Sequence, residues 1–232
     1  IYRGVGGIAT GAWAAREGWD GLWRFAWTHT QRGVRNPGGQ AMTYFDMSGD
    51  PLSCAGERAA FCLFLRGDLS VGDQTALKVD EKSAVLRLDT RRTVGGFAKR
   101  GGFSVGILDV ANTGDVPTTL WASSLEEAPL EGASRILLTH LTDVQNMGAR
   151  FADSAMTVLL DWGGLPHLMR RGRAEVSLAL RPGTFTVYVL NEDGSRREVV
   201  PSQYEKGRLT FVTDTARNAQ KASYLYEIVR TR

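Results

Sequence analysis

Two cysteines and three histidines are the residues in this chain best suited to metal or nucleophile chemistry, and their spacing favours neither. Cys54 and Cys62 lie in "DPLSCAGERAAFCLFLRGD", a stretch that reads as a helix. Eight helical residues place them about 12 Å apart, beyond the roughly 7 Å between Cα atoms that a disulfide spans. Both are therefore expected as free thiols, and no CxxC or Cys/His cluster suggests zinc. His29, His140 and His167 are far apart in sequence, without metal-ligand spacing. No glycine-rich phosphate loop or Ser-His-Asp arrangement is evident, and "RGVGG" lacks the preceding strand and the spacing of a dinucleotide fingerprint. The expectation is no cofactor and no metal. What remains is aromatic. "GWDGLWRFAWTHT", residues 18 to 30, carries Trp19, Trp23 and Trp27, three of the chain's six tryptophans, and ends in Thr-His-Thr.

The elements that hold this stretch fall into two regions. "RGVGGIATGAWAAREG" has small residues at helical spacing and stops at Gly18, a natural C-terminal cap. After a Trp-Asp-Gly turn, "GLWRFAWT" alternates, placing Trp23, Phe25 and Trp27 on one face and Leu22, Arg24 and Ala26 on the other, which predicts a strand over 21–28. A long glycine-rich loop follows. Asp50 then caps a helix with Pro51 at its first position, bearing Leu52, Ala55, Ala59, Phe61, Leu63 and Phe64. A strand with large residues on both faces requires cover on both, as in a parallel α/β sheet or barrel.

From about residue 79 the pattern becomes short alternating runs: "AVLRLD", "FSVGILDV", "TTLWASS", "RILLTHLTDV", "MTVLLDW", "AEVSLAL", "TFTVYVLN", "REVV", "RLTFV" and "YLYEIV". Turns such as "RPGT", "EDGS" and "EKGR" separate several of them. Ten short strands in about 150 residues predict an antiparallel β-sandwich. Val85, Leu86, Leu120, Ile136, Leu138, Val158, Leu160, Val187 and Val189 are its expected core. The fold class is thus mainly β, a sandwich preceded by an α/β segment.

Composition sets the outer limits. The 232 residues suffice for one large or two modest domains. Net charge is +3, too small to argue for nucleic acid, and the short clusters "KRGG" and "RRGR" read as solvated turns. No run of 18 apolar residues exists, so no membrane-spanning helix is expected. The opening at Ile1, without a methionine or signal peptide, reads as a processed or cut chain.

"GAWAAREGWDGLWRFAWTHT" resembles the last helix and eighth strand of the retaining (β/α)8-barrel glycoside hydrolases of clan A. "MTYFDMSGDPLSCAGERAAFCLFLRGDLS" looks like the loop and final helix that follow. "SRILLTHLTDVQNMGARF", "DWGGLPHLM" and "TVYVLNEDGSRREVV" resemble the β-sandwich behind such barrels in bacterial enzymes. The resemblance implies that residues 1–78 complete a TIM barrel and residues 79–232 form its accessory sandwich. It implies a carbohydrate substrate and a second polypeptide carrying the rest of the barrel; a homo-oligomer is left open. So is the compartment: secreted, periplasmic or cytoplasmic.

In such barrels the site lies at the C-terminal strand ends. There Trp27 would be a stacking floor for a pyranose, with His29 or Gln31 as polar partners for its hydroxyls. Trp23, deeper in the strand, would be core. Retaining hydrolysis uses two carboxylates about 5 to 5.5 Å apart, which in clan A are glutamates on the fourth and seventh strands. Neither strand is in this sequence, so no catalytic residue is assigned. Asp20 falls at the wrong strand end, Asp46 and Asp50 read as loop braces or caps, and Glu17 and Glu57 as solvated or paired helix residues. The alternative is a non-catalytic carbohydrate-binding or structural module. Its candidate platforms are Trp121, Trp162, Tyr188, Tyr224 and Tyr226, of which Trp121 and Trp162 sit beside apolar strands and are expected to be buried.

Overall fold

The structure, a computed structural model, describes residues 3–218 and 220–231. Helix α1 (Gly6–Arg16) is followed by the short α2 (Gln31–Arg35) and by α3 (Pro51–Ala60), which continues as a π-helical turn, Phe61–Leu65. Asp50 accepts hydrogen bonds from the backbone N–H groups of Leu52 (3.1 Å) and Ser53 (3.0 Å), with Pro51 at the first position, as the sequence predicts. The strands then come in order: β1 (Leu77–Asp80), β2 (Val85–Asp89), β3 (Thr93–Ala98), β4 (Gly102–Val105), β5 (Leu108–Ala111), β6 (Thr118–Ser124), β7 (Arg135–Leu141) and β8 (Val144–Met147). The remainder are β9 (Arg150–Phe151), β10 (Leu159–Asp161), β11 (Gly164–Met169), β12 (Arg173–Ala179), β13 (Thr184–Leu190), β14 (Arg196–Val200), β15 (Ser202–Glu205), β16 (Arg208–Asp214) and β17 (Leu225–Thr231). No helix among the described residues is long and apolar enough to cross a membrane.

The strands pair antiparallel throughout. An eight-stranded sheet runs β1-β2-β3-β6-β7-β17-β13-β14, and a five-stranded sheet runs β15-β16-β12-β5-β4. The pairs β8–β11 and β9–β10 stand apart from both. Between the two large sheets lies a core that includes Val85, Leu120, Ile136, Leu138, Val176, Leu178, Val187, Val189, Phe211 and Ile228. Of the expected core residues, Val158 and Leu160 are exposed, at 53% and 62%. They belong to the small β9–β10 ribbon region, where an apolar alternation has no second sheet to face. The run "FSVGILDV" is not one strand but the hairpin β4–β5, which turns at Gly106 with φ +51°.

Strand β3, unmarked in the sequence because "TVGGFA" reads as a poor strand former, is a central strand. Its glycines make room on both faces. A Cβ on Gly95 would lie 2.4 Å from that of Trp121, and one on Gly96 would lie 2.9 Å from the Phe103 ring.

The eight-stranded sheet is covered on its other face by the helices. Ile8, Ala12, Ala59 and Leu63 pack with Leu77, Leu86, Leu88 and Trp121 in a second core. Val85 and Leu86, adjacent in sequence, are therefore both buried, on opposite faces. The expected boundary at 78/79 is not a break: β1 begins at Leu77, and the helical segment shares this core with the sandwich.

Helices α1 and α3 touch through their small residues. A Cβ on Gly7 would lie 1.9 Å from the Gly56 carbonyl oxygen, and one on Gly11 would lie 2.5 Å from the Ala60 Cα. Gly11→Val is expected to force the helices apart and lower stability by about 1–3 kcal/mol, the range of overpacked cores. Denaturant unfolding measures this, and faster maleimide labelling of Cys62, which packs against the same core, locates it. An unchanged midpoint would refute the close helix contact.

Residues 21–28 depart most from expectation. They form no strand, bend at Phe25 and Trp27, and join no sheet among the described residues. Their backbone bonds run to the following loop: Ala26 N–H to the Phe45 carbonyl (3.1 Å), Met47 N–H to Ala26 (3.0 Å) and Ser48 N–H to Trp27 (2.9 Å). Trp23, expected in a core, is 93% exposed. Among the described residues no strand flanks this segment, so its alternation has no sheet to join.

Candidate functional site

The segment ends at a carboxylate held by its own neighbours. Asp46, nearly buried, accepts hydrogen bonds from Thr28 Oγ1 and the His29 backbone N–H (both 3.2 Å) and lies 2.5 Å from His29 Nδ1. The His29 ring, the His29 backbone N–H and Thr28 together hold the Asp46 carboxyl below its ordinary range against the effect of burial, the ring contributing most. A carboxylate acceptor at Nδ1 fixes a proton there and orients the half-exposed ring, with Nε2 left facing away from the carboxylate. Asp46 is thus the loop brace the sequence suggests, and what it braces is His29. The loop behind is tightly knit: Thr30 caps α2 by accepting from the Gly33 N–H (3.1 Å), and a Cβ on Gly33 would lie 2.1 Å from Thr28 Oγ1.

The structure separates the three residues named from the sequence. Trp27, 49% exposed, turns toward α3 and lines a cavity of about 450 Å3 with Leu22, Arg24, Met47, Phe61 and Phe64. His29 is outside that cavity and meets Phe25 instead, ring centroids 5.1 Å apart. The common face expected for Trp23, Phe25 and Trp27 is therefore not kept. Gln31 begins α2, exposed, and makes no hydrogen bond with His29 or Asp46 among the described residues.

An aromatic ridge that sequence reasoning missed continues from His29. Phe25 and Phe45 lie 5.6 Å apart, Phe45 and Tyr44 4.4 Å, and Tyr44 and Trp162 6.3 Å, all edge to face. All four rings are exposed: Phe25 at 75%, Tyr44 at 76%, Phe45 at 53% and Trp162 at 41%. The only sequence signal was the doublet "YF" in a glycine-rich loop. Trp162, expected to be buried, is instead carried outward on the turn between β10 and β11, where Gly163 takes φ +63°. Of the other candidate platforms, Trp121 and Tyr226 are fully buried and Tyr224 nearly so, while the Arg196 guanidinium lies over Tyr188 at 4.4 Å.

Three further carboxylates weighed from the sequence are paired with arginines. Glu57 pairs with Arg24 (2.8 Å), Glu17 with Arg16 (2.7 Å) and Asp50 with Arg3 (2.6 Å). Cys54 and Cys62 are free thiols, as their spacing predicts. Burial pushes Cys54 up to about 11 and Cys62 upward as well, so both are protonated and weakly nucleophilic at neutral pH. Among the described residues no three His, Cys, Asp or Glu side chains stand together as metal ligands.

The fold and site define a two-sheet β-sandwich with a helical cap that presents exposed aromatic rings beside a braced histidine. Comparison of the chain with models of protein families, with curated proteins and with solved structures gave no match.

Proposed function

We propose that this chain is the C-terminal part of a retaining (β/α)8-barrel glycoside hydrolase acting on oligo- or polysaccharide, contributing the eighth barrel strand and a supporting sandwich. The observation that carries this is the segment 21–28. It carries bulky residues in alternation, lies against α3 through Leu22, Arg24 and Trp27, and pairs with no strand among the described residues, while Trp23 and Phe25 lie 93% and 75% exposed. Such a segment buries its rings once neighbouring strands flank it; burying each large apolar side chain contributes roughly 1.5–3 kcal/mol. Trp27 and His29, at the end of the segment, then supply a stacking surface and a hydrogen-bonding group to a sugar, with Gln31 further along the loop. Both catalytic carboxylates come from the accompanying polypeptide.

The purified chain is expected to leave aryl glycosides uncleaved and, under native conditions, to associate with a polypeptide carrying the first seven strands, the mixture regaining turnover. Turnover by the chain alone that is abolished by mutating one of its own carboxylates overturns the proposal. So does a stable monomer of 25.4 kDa that ignores that polypeptide. The exposed row Phe25, Phe45, Tyr44 and Trp162 favours a second reading, an independent carbohydrate-binding module, which a monomer retained by polysaccharide supports.

A further inference from the structure

The small ribbons beside the sandwich carry one ring of the aromatic ridge, and the way they do so is structurally specific. Trp162 is on the β10–β11 turn, whereas Tyr44 and Phe45 are on the loop before α3, more than 100 positions away in the chain. A single buried side chain joins the two. Asn146, on β8 and 3% exposed, donates from Nδ2 to the Met42 carbonyl (3.0 Å) and to the Trp162 carbonyl (2.8 Å), and its Oδ1 accepts from the Met42 N–H (2.8 Å). Each polar atom of the amide is satisfied, and each bond goes to backbone. The side chain therefore fixes the spacing of two loops, one aromatic residue being on its own attachment point and the other two residues beyond. Asp161 tightens the Trp162 turn by accepting from the Gly163 N–H (3.0 Å). Behind Tyr44 and Trp162 lies a cavity of about 360 Å3 bordered by polar groups of Arg3, Asp143 and Gln145.

Exposed aromatic rings held rigidly, with polar groups at their margin, suit a ligand that is apolar on its faces and hydroxylated at its edges. A pyranose has this character: C–H groups on its faces stack on rings while its hydroxyls need hydrogen-bond partners. Rings on two loops distant in sequence, pinned at one spacing, suit a chain of such units better than a single sugar, and the preorganised backbone limits the ordering lost on binding.

We infer that Tyr44 and Trp162 form a glycan-chain binding platform that extends the site at His29 onto the β8–β11 and β9–β10 ribbons, so that these ribbons take part in holding a neutral polysaccharide. The inference rests on the proposed sugar-facing role of Trp27 and His29, and its test separates the two. The probes are β-1,4-xylan, β-1,4-mannan, β-1,3-glucan and mixed-linkage β-glucan, cast in native gels through which the full chain migrates. At least one is expected to retard the chain. Trp162→Ala and Tyr44→Ala are each expected to weaken that retention about tenfold or more, the loss of one well-placed aromatic contact. Trp13→Ala, an exposed tryptophan on α1, is expected to leave it unchanged. Because Tyr44 and Trp162 lie on different loops and are exposed, a folding defect in one variant leaves the other informative; near-ultraviolet circular dichroism checks each.

Retention lost with Trp27→Ala or His29→Ala but untouched by Trp162→Ala and Tyr44→Ala overturns the platform and leaves the proposed sugar site standing. Retention lost with Trp162→Ala and Tyr44→Ala alone sustains the platform and counts against the roles of Trp27 and His29. Absence of retention by all four polysaccharides overturns the platform, while the proposed function is judged by turnover with the accompanying polypeptide.

Discussion

Asp68→Ala is expected to destabilise the protein by about 3–5 kcal/mol, the usual consequence of removing one partner of a buried ion pair. Asp68, its side chain 1% exposed, stands where the end of the α3 helical region meets the sheet. Arg66 binds it in bidentate fashion, Nη2 to Oδ2 at 2.5 Å and Nε to Oδ1 at 2.9 Å. Thr93 Oγ1 on β3 donates to the same carboxylate at 2.6 Å, and Arg92 stands 3.8 Å away. Arg66 in turn donates to Ser123 Oγ (2.6 Å) and to the Ser124 carbonyl (2.8 Å) on β6. Alanine would leave two guanidinium groups facing each other across an emptied, poorly solvated site, and would leave the Thr93 hydroxyl without this acceptor. The change is a large part of the net stability of an ordinary domain. Urea unfolding gives its size. Hydrogen exchange gives its place: amides of residues 61–69 should lose protection before those of the β12–β16 pair. A loss below 1 kcal/mol, or loss of protection spread evenly over both sheets, would show that this network does not fasten the helices to the sandwich.

The second large effect is pH-dependent. His140 on β7 follows Ile136 and Leu138 on the face turned into the sandwich and is fully buried. Neither ring nitrogen has a hydrogen-bond partner among the described residues. Burial lowers its pKa from 6.5 to about 4, with Asp214 opposing this weakly. The lowered value means the folded state holds the neutral ring and takes up a proton less readily than the unfolded chain. The contribution is complete above about pH 6.5, declines as the pH falls toward 4, and is level below that. At about 1.4 kcal/mol for each tenfold difference in proton affinity, the total is on the order of 3 kcal/mol. Stability measured from pH 7.5 to pH 4 should fall in this window with a slope approaching one proton. The fall should be shallower by that amount in His140→Leu, whatever the variant's stability at pH 7.5. His167, whose pKa burial also lowers, contributes with the same sign to both proteins and cancels from the comparison. Parallel pH profiles for the two would mean that His140 is hydrated or paired in solution.

The class of fold was legible because a strand facing a core writes itself in alternation. "TTLWASS" is β6 to the residue, and "AEVSLAL" and "TFTVYVLN" match β12 and β13 within one position. Helix ends were equally local: Asp50-Pro51 fixes the start of α3 through one side chain and one ring. The free thiols followed from helical rise alone. What alternation could not decide was which faces find partners. Val158 and Leu160 alternate as well as Val187 and Val189 do, yet lie outside the two packed sheets. Trp121 and Trp162 sit in similar apolar runs; one is buried beneath the helices and the other stands on a turn. Gly95 and Gly96 argued against a strand because their purpose, space for Trp121 and Phe103, exists only once those rings arrive from elsewhere in the chain. At the site, Trp27, Thr28, His29 and Asp46 were visible as residue types. The brace between His29 and Asp46, the turning of Trp27 toward α3, and the pinning of Tyr44 beside Trp162 through Asn146 were not. Local sequence determines the elements because their hydrogen bonds and periodicity are local. The site was decided by tertiary structure because its groups meet only where loops distant in sequence are tied together by buried side chains.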